Sequence, residues 1–190
     1  MILFRYRLSG GIVMDFNKVI SGRRSIRHYD ENKKVSKEQI EEIISAAIKA
    51  PSWKNSQTAR YYCATSEDGI NKIRECLPEF NKKNSENAAL IVTAFVSNRA
   101  GFDREGNPDN ECGNGWGYYD LGLHNENLVL KAYEMGLGTL IMGIRDGEKI
   151  RKALAIPENE TVVSVIAVGY PAVNPEMPKR KTTDNIISGI

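Results

Sequence analysis

The chain reads as an α/β or α+β domain built on a central sheet, and three observations predict this. Residues 88–96 (AALIVTAFV) and 162–168 are nearly continuous apolar runs of strand length, so each reads as a strand covered on both faces. Segments with apolar residues three and four apart stand around them and supply helices to do the covering. The 190 residues, 41% of them hydrophobic, suit one domain with a sizeable core.

In chain order, residues 1–13 (MILFRYRLSGGIV) have an apolar start that Arg5 and Arg7 interrupt, which makes a poor signal peptide. They are expected to be a flexible leader or an upstream start site, with the domain occupying residues 14–190. Residues 15–20 predict a short helix with Phe16, Val19 and Ile20 on one face. Residues 36–50 predict a stronger one. Ser36 and Gln39 form a capping box, Ile40, Ile43, Ile44, Ala47 and Ile48 make the apolar stripe, and Pro51 stops it. Residues 51–58 (PSWKNSQT) read as a polar loop with an exposed Trp53, and residues 61–65 as a strand. Residues 68–77 read as a helix with Ile70, Ile73 and Leu77 on one face.

Residues 98–117, rich in Gly, Asn and Asp, read as a long loop of the kind that forms functional lids, and their composition argues for mobility. Residues 118–135 predict a helix buried through Leu121, Leu128, Val129 and Ala132, with Gly136 at C′. Tyr118 and Tyr119 are expected to pack, and Trp116 is open to either packing or lining a pocket. A strand at 139–144 and a helix at 146–155 follow. Pro171, Pro175 and Pro178 stiffen an exposed extended segment, and Lys179, Arg180 and Lys181 come after it.

The charge balance excludes one broad class. With 26 Lys and Arg against 24 Asp and Glu, the net charge of +2 does not suit a general nucleic-acid binder. Cys63, Cys76 and Cys112 are odd in number and widely spaced. A disulfide framework or zinc site is therefore not expected, and a cytoplasmic location is. No apolar run reaches membrane-spanning length.

Against this neutral background GRRSIRHYD, residues 22–30, concentrates Arg23, Arg24 and Arg27 beside His28. Extended backbone would point Arg23, Ser25 and Arg27 to one side, where guanidinium forks and a hydroxyl suit a phosphate. A solvated basic turn paired with Asp30 or Glu31 is the other reading. No Walker loop, GxGxxG after a strand, GxSxG or HExxH competes. Asp120 and Glu126 could act as acids, but as helical carboxylates they are expected to be surface or structural.

RRSIRHYD, APSWKNSQTARYY, YYDLGLHNENLVLKAYEMGLGT, LAIPENETVVSVIAVGYP and PKRK with TTDNII, in that order, resemble segments of the nitroreductase family over residues 14–187. The resemblance implies an α+β three-layer sandwich with a central mixed β-sheet flanked by helices, as a homodimer with FMN at the interface. By position, Arg23, Arg24, Ser25 and Arg27 match the first flavin-binding segment. Arg23 and Ser25 would meet the phosphate and ribityl chain, and Arg27 the pyrimidine end of the ring. Pro51, Ser52, Trp53, Asn55 and Gln57 match a segment supplied by the other subunit. Met142 and Gly143 match the backbone beneath the ring. Arg180, or Lys179 or Lys181 in its place, matches a tail cation on the phosphate. Trp53 and Lys54 fall near the expected substrate face and depart from the family's commonest pattern, as does Thr58.

The implied activity is ping-pong transfer of hydride from NAD(P)H through FMN to a small-molecule acceptor such as a nitroaromatic or quinone. No acid or base side chain is required, because the cofactor carries the chemistry. Same-fold reductive dehalogenation or another specialised flavin reaction is an alternative, with residues 98–117 as lid. A non-enzymatic binder of a phosphorylated ligand is another. Neither nucleic acid nor membrane is an expected partner.

Overall fold

The two apolar runs pair with each other at the centre of a four-stranded sheet. The computed structural model describes residues 15–189. The expected leader and Met14 lie outside the described residues, as does Ile190. In chain order the strands are β1 (Ala59–Ala64), β2 (Ala89–Val96), β3 (Gly138–Met142) and β4 (Glu160–Gly169), and they lie side by side as β1-β2-β4-β3. All three pairings are antiparallel. Parallel character is confined to a bridge between Ser25 and Thr139, where the basic segment runs beside β3.

Period-two alternation divides the apolar runs between two cores. Leu90, Val92, Val165 and Ala167 face one side, with Ile73, Leu77 and Ile150. Ala89, Ile91, Ile166 and Val168 face the other, with Ile40, Ile43, Leu128 and Val129. The helices α3 (Glu67–Arg74) and α6 (Gly147–Leu154) thus cover one face, and α2 (Lys37–Ala47) and α5 (Gly115–Glu134) the other. The result is three layers, and it explains how antiparallel strands can be apolar on both sides. Each fully buried Leu or Ile contributes about 1.5–3 kcal/mol of burial free energy. A register shift at Thr93/Ala94 is accompanied by a 2.8 Å hydrogen bond between the buried hydroxyls of Thr93 and Ser164.

Local signals place the helix ends. The Ser36 hydroxyl accepts from Gln39 N–H at 3.2 Å, and the Gln39 side chain accepts from Ser36 N–H at 3.0 Å, the expected capping box. Gly136 adopts φ +77°, and the N–H groups of Gly136 and Leu137 donate to the carbonyls of Tyr133 (2.9 Å) and Ala132 (2.8 Å). This Schellman closure turns the chain directly into β3. Helix α5 begins before Tyr118, so the long loop ends at Asn114.

Two expectations need correction and one helix went unread. In α1 (Phe16–Gly22) only Val19 is buried, while Phe16 is 66% and Ile20 50% exposed. Helix α1 lies on α5, and among the described residues its other apolar side chains are left largely uncovered. Tyr118 and Tyr119 do not pack away: they are 50% and 60% exposed, with only ring-edge contacts to Phe95 and Trp116. Helix α4 (Glu79–Asn84, EFNKKN) has no apolar stripe to read; it is tied down by buried Asn81, whose Nδ2 donates to the Ile144 carbonyl at 2.8 Å.

Residues 171–182 form no helix or strand and, with the short turn Thr183–Asn185, are exposed. The three cysteines are unpaired. Among the described residues no helix is long and apolar enough to cross a membrane.

Gly138 supports the whole β3 edge. A Cβ there would lie 2.6 Å from Ile26 Cγ1, closer than real contacts allow. Gly138→Ala should therefore push Ile26 off its seat and cost about 1–3 kcal/mol, lowering Tm by about 2–4 °C per kcal/mol in thermal melts. An unchanged Tm would show that Ile26 does not rest on Gly138.

Candidate functional site

The basic segment is bolted to the sheet by its apolar residues. Ile26 N–H donates to Thr139 O at 2.9 Å, Asp30 N–H donates to Tyr170 O at 2.9 Å, and the side chains of Ile26 and Tyr29 are buried. Tyr29 OH donates to Ile26 O at 2.9 Å, and burial pushes its pKa well above the usual phenol value. Inward Ile26 leaves Ser25 and Arg27 on the outer side, both exposed, as alternation requires.

The basic-turn pairing does not form. The Asp30 carboxylate accepts from Asn32 N–H at 2.9 Å and lies 3.5 Å from Lys33 Nζ. Among the described residues Arg23 and Arg27 have neither an acidic partner nor a side-chain hydrogen bond. Arg24 is different: its Nη1 donates to the carbonyls of Ser21 and Arg23, each at 2.7 Å. Its first task is to cap the end of α1, although Nε is buried without a partner.

The Ser25–Thr139 bridge sets the segment on the β3 edge; beyond Ile26 it turns to the residues after β4, where Ala172 N–H donates to His28 O at 3.0 Å, while the same edge continues the other way to the residues that end β3. Those residues are Met142, which is buried, and Gly143, which is exposed. A Cβ on Gly143 would meet nothing within 4 Å, so its backbone faces open space. The arrangement suits a phosphorylated, flat cofactor: two uncommitted guanidinium groups and a hydroxyl for the anion, then open backbone for a ring.

Pro51, Ser52, Trp53, Asn55 and Gln57 lie elsewhere. They lead into β1, at the opposite edge of the sheet from β3. Three interstrand spacings separate the edges, about 14 Å. Trp53–Asn55 form a 3-10 turn in which Lys54 and Asn55 have φ of 45° and 55°, and Gln57 follows at 50°. Left-handed backbone at three non-glycine residues costs on the order of 1 kcal/mol each, and such strain persists only when neighbours hold it. Here Ser52 Oγ accepts from Gln57 N–H at 3.0 Å, and the Asp120 carboxylate accepts from Trp53 N–H at 2.9 Å.

Trp53 is half-buried rather than free. Its ring packs against Trp116 at a tilt of 43°, with centroids 4.2 Å apart, so Trp116 does pack. Lys54 is exposed, and its Nζ sits 5.7 Å over the Trp53 ring.

Loop 98–114 carries a network of hydrogen bonds among its own residues. Asn98 N–H donates to Asn114 Oδ1 at 2.7 Å and Asn114 Nδ2 donates to Asn98 Oδ1 at 2.8 Å. Asp109 N–H donates to Gly101 O at 2.7 Å. Asp109 Oδ2 then accepts from both Trp53 Nε1 (3.1 Å) and Lys54 Nζ (2.8 Å), and Asn110 Oδ1 from Trp116 Nε1 (2.9 Å).

No local pattern marks Asp109 and Asn110: the side-chain partners of Asp109 lie 56 and 55 positions away, and Asn110 reaches Trp116 across an irregular loop. Asp120 was weighed only as a surface or structural acid, and it proves to be buried. Burial raises its carboxyl pKa above the usual range, against the opposing effects of the Trp53 hydrogen bond and His124. Burial likewise lowers the pKa of His124, whose Nδ1 has no partner.

No hydrogen bond or ion pair among the described residues joins Lys179, Arg180 or Lys181 to the 23–27 segment; Arg180 Nη1 donates only to Pro178 O, at 3.2 Å. A cavity of about 760 Å³ lies past Gly143, between Cys76, Arg145, Lys149 and Arg151. Its cations are already bonded: Arg145 to Val162 O, Lys149 to Glu75 O and Arg151 to Glu160 O.

The chain is similar to known proteins over most of its length. Residues 20–170 match the model of the Nitroreductase family. A protein of Archaeoglobus fulgidus, provisionally named NADH dehydrogenase/NAD(P)H nitroreductase, is 31% identical over 159 residues, 81% of this chain and 84% of that protein. An NADPH-flavin oxidoreductase of Vibrio harveyi is 28% identical over 171 residues, 86% of this chain and 68% of that protein. Among solved structures, a provisionally named nitroreductase of Exiguobacterium sibiricum in complex with FMN superposes with a TM-score of 0.77. It is 25% identical, covering 93% of this chain and 98% of that one.

The buried Asp120 generates a test of the 52–57 turn. Since its folded pKa is raised, the folded state keeps the proton to higher pH than the unfolded state does. Stability therefore falls as pH rises from the ordinary carboxyl value through the folded one. Asp120→Asn keeps an acceptor for Trp53 N–H and should remove that fall in urea melts run from acid to neutral pH. Asp120→Ala should cost about 1–3 kcal/mol, because a backbone donor is left unpaired. Identical pH profiles for the Asp and Asn proteins would show that this carboxyl does not titrate abnormally.

Proposed function

Because the chain belongs to the nitroreductase family, we propose that it is an FMN-dependent oxidoreductase that uses NAD(P)H to reduce nitroaromatic, quinone or related acceptors. One observation carries the reading: the uncommitted Arg23 and Arg27 flank Ser25 on the edge that ends in open backbone at Gly143. The FMN in the Exiguobacterium sibiricum complex and the name of the Vibrio harveyi enzyme support it.

Bound FMN would supply the redox chemistry, accepting a hydride from NAD(P)H and delivering two electrons that, with two protons, convert a nitro group into nitroso and water. The protein's share is electrostatic and positional. Arg23 and Ser25 hold the phosphate and ribityl chain. Arg24, committed to α1, contributes charge at longer range. Arg27 sits by the pyrimidine end and stabilises negative charge there, while Met142 and Gly143 present backbone beneath the ring.

The protein acts as a homodimer in this reading. Pro51, Ser52, Trp53, Asn55 and Gln57 enter at the wrong edge to cover their own chain's basic segment, so a second copy brings them over it. Phe16, Ile20 and Ile48 are apolar residues that such a partner would cover, and Ile48 is 62% exposed. The exposed tail with Lys179, Arg180 and Lys181 adds a cation to the phosphate on assembly. Its unpaired cysteines suit a reducing cytoplasm.

The purified protein should show flavin absorption bands that bleach on anaerobic addition of NAD(P)H. Absence of flavin, with none taken up from added FMN, would end this reading. Arg27→Ala should retain FMN and lower its two-electron potential by tens of millivolts, since about 1.4 kcal/mol corresponds to 30 mV. An unchanged potential in the loaded variant would remove Arg27 from the ring.

A further inference from the structure

We propose that Asp109 sets the charge preference of the acceptor site by neutralising Lys54 and holding it against Trp53. The proposal rests on the oxidoreductase reading, in which the 51–57 segment lies over the cofactor and Trp53 and Lys54 border the substrate.

Three features single out Asp109. One carboxylate oxygen serves two residues of a strained turn, at 3.1 Å from Trp53 Nε1 and 2.8 Å from Lys54 Nζ. That carboxylate is sheltered, with its side chain 21% exposed against 63% for Lys54. Its own backbone is fixed to Gly101, and the next residue, Asn110, holds Trp116 against Trp53. Adjacent loop residues therefore grip the two indole rings, one each, and the first of them also grips the ammonium.

The chemistry follows from charge. Lys54 is the lone cation of the 51–57 segment. Left uncompensated beside a flat indole, it would attract anionic aromatic acceptors such as nitrobenzoates. With Asp109 on it, the pair is neutral and the indole surface dominates, which favours uncharged planar acceptors. Asp109 touches no cofactor in this account; it is a positioning and specificity residue acting through Lys54 and Trp53.

The test compares para-nitrobenzoate with para-nitrobenzyl alcohol, which share shape and differ in charge. In the holoenzyme with NADPH as donor, Asp109→Asn should raise the benzoate-to-alcohol ratio of kcat/KM about fivefold, the effect of one unit charge near 4 Å in water. The change should appear in KM and shrink at high salt. The double variant Asp109→Asn with Lys54→Met should return to the wild-type ratio.

A parallel titration without reductant follows quenching of tryptophan fluorescence by the same two compounds and needs no turnover. There too the benzoate should bind about fivefold tighter relative to the alcohol in Asp109→Asn. An unchanged ratio in Asp109→Asn, or a rise that survives loss of Lys54, would overturn the proposal. A wild-type protein without flavin or turnover would instead defeat the oxidoreductase reading, and the quenching ratio would still decide the role of Asp109.

Discussion

Everything in this molecule follows from two strands with no solvent face. Buried on both sides, β2 and β4 can exist only between two helical layers, so α2 and α5 take one face and α3 and α6 the other. The edges of the sheet are what remains accessible, and both candidate segments lie there. At β3 the basic segment docks as a fifth, irregular strand. At β1 the strained Trp53 turn enters.

Docking at the β3 edge reconciles two conflicting demands. Cations that are to meet an anion must stay solvated and unpaired, yet must be held in place. The segment meets both by alternation: Ile26 and Tyr29 sink into the core while Ser25 and Arg27 face out. Rigidity comes from apolar burial and backbone bonds to Thr139 and Tyr170, which leaves the guanidinium groups of Arg23 and Arg27 uncommitted.

How much of this could be read in the chain depended on the range of the interaction. Local patterns were legible: the Ser36–Gln39 box, the Gly136 turn and the unbroken apolarity of β2 each have a short-range cause. So was the basic segment, because its charge is conspicuous in a nearly neutral chain. Helix α4 was not legible, since a polar hexapeptide held by Asn81 and Ile144 has no periodicity. Nor were Asp109 and Asp120, whose partners lie 56 and 67 positions away. Phe16 and Ile20 are a separate case: helical spacing marks an apolar face without saying what covers it. In loop 98–114 composition gave the loop but not its bonding, since the Asn and Asp residues that mark it as irregular also make its hydrogen bonds.

The Asn98–Asn114 pair has a consequence for how such a protein diversifies. Two reciprocal amide bonds, at 2.7 and 2.8 Å, close the loop at its base before any interior residue matters. Once the ends are stapled, each doubling of the enclosed length costs only about 0.6 kcal/mol in closure entropy. Changes of length away from Gly101, Asp109 and Asn110 then cost β2 and α5 little. The staple thus separates the sheet and its two helical layers from a loop whose length they do not fix.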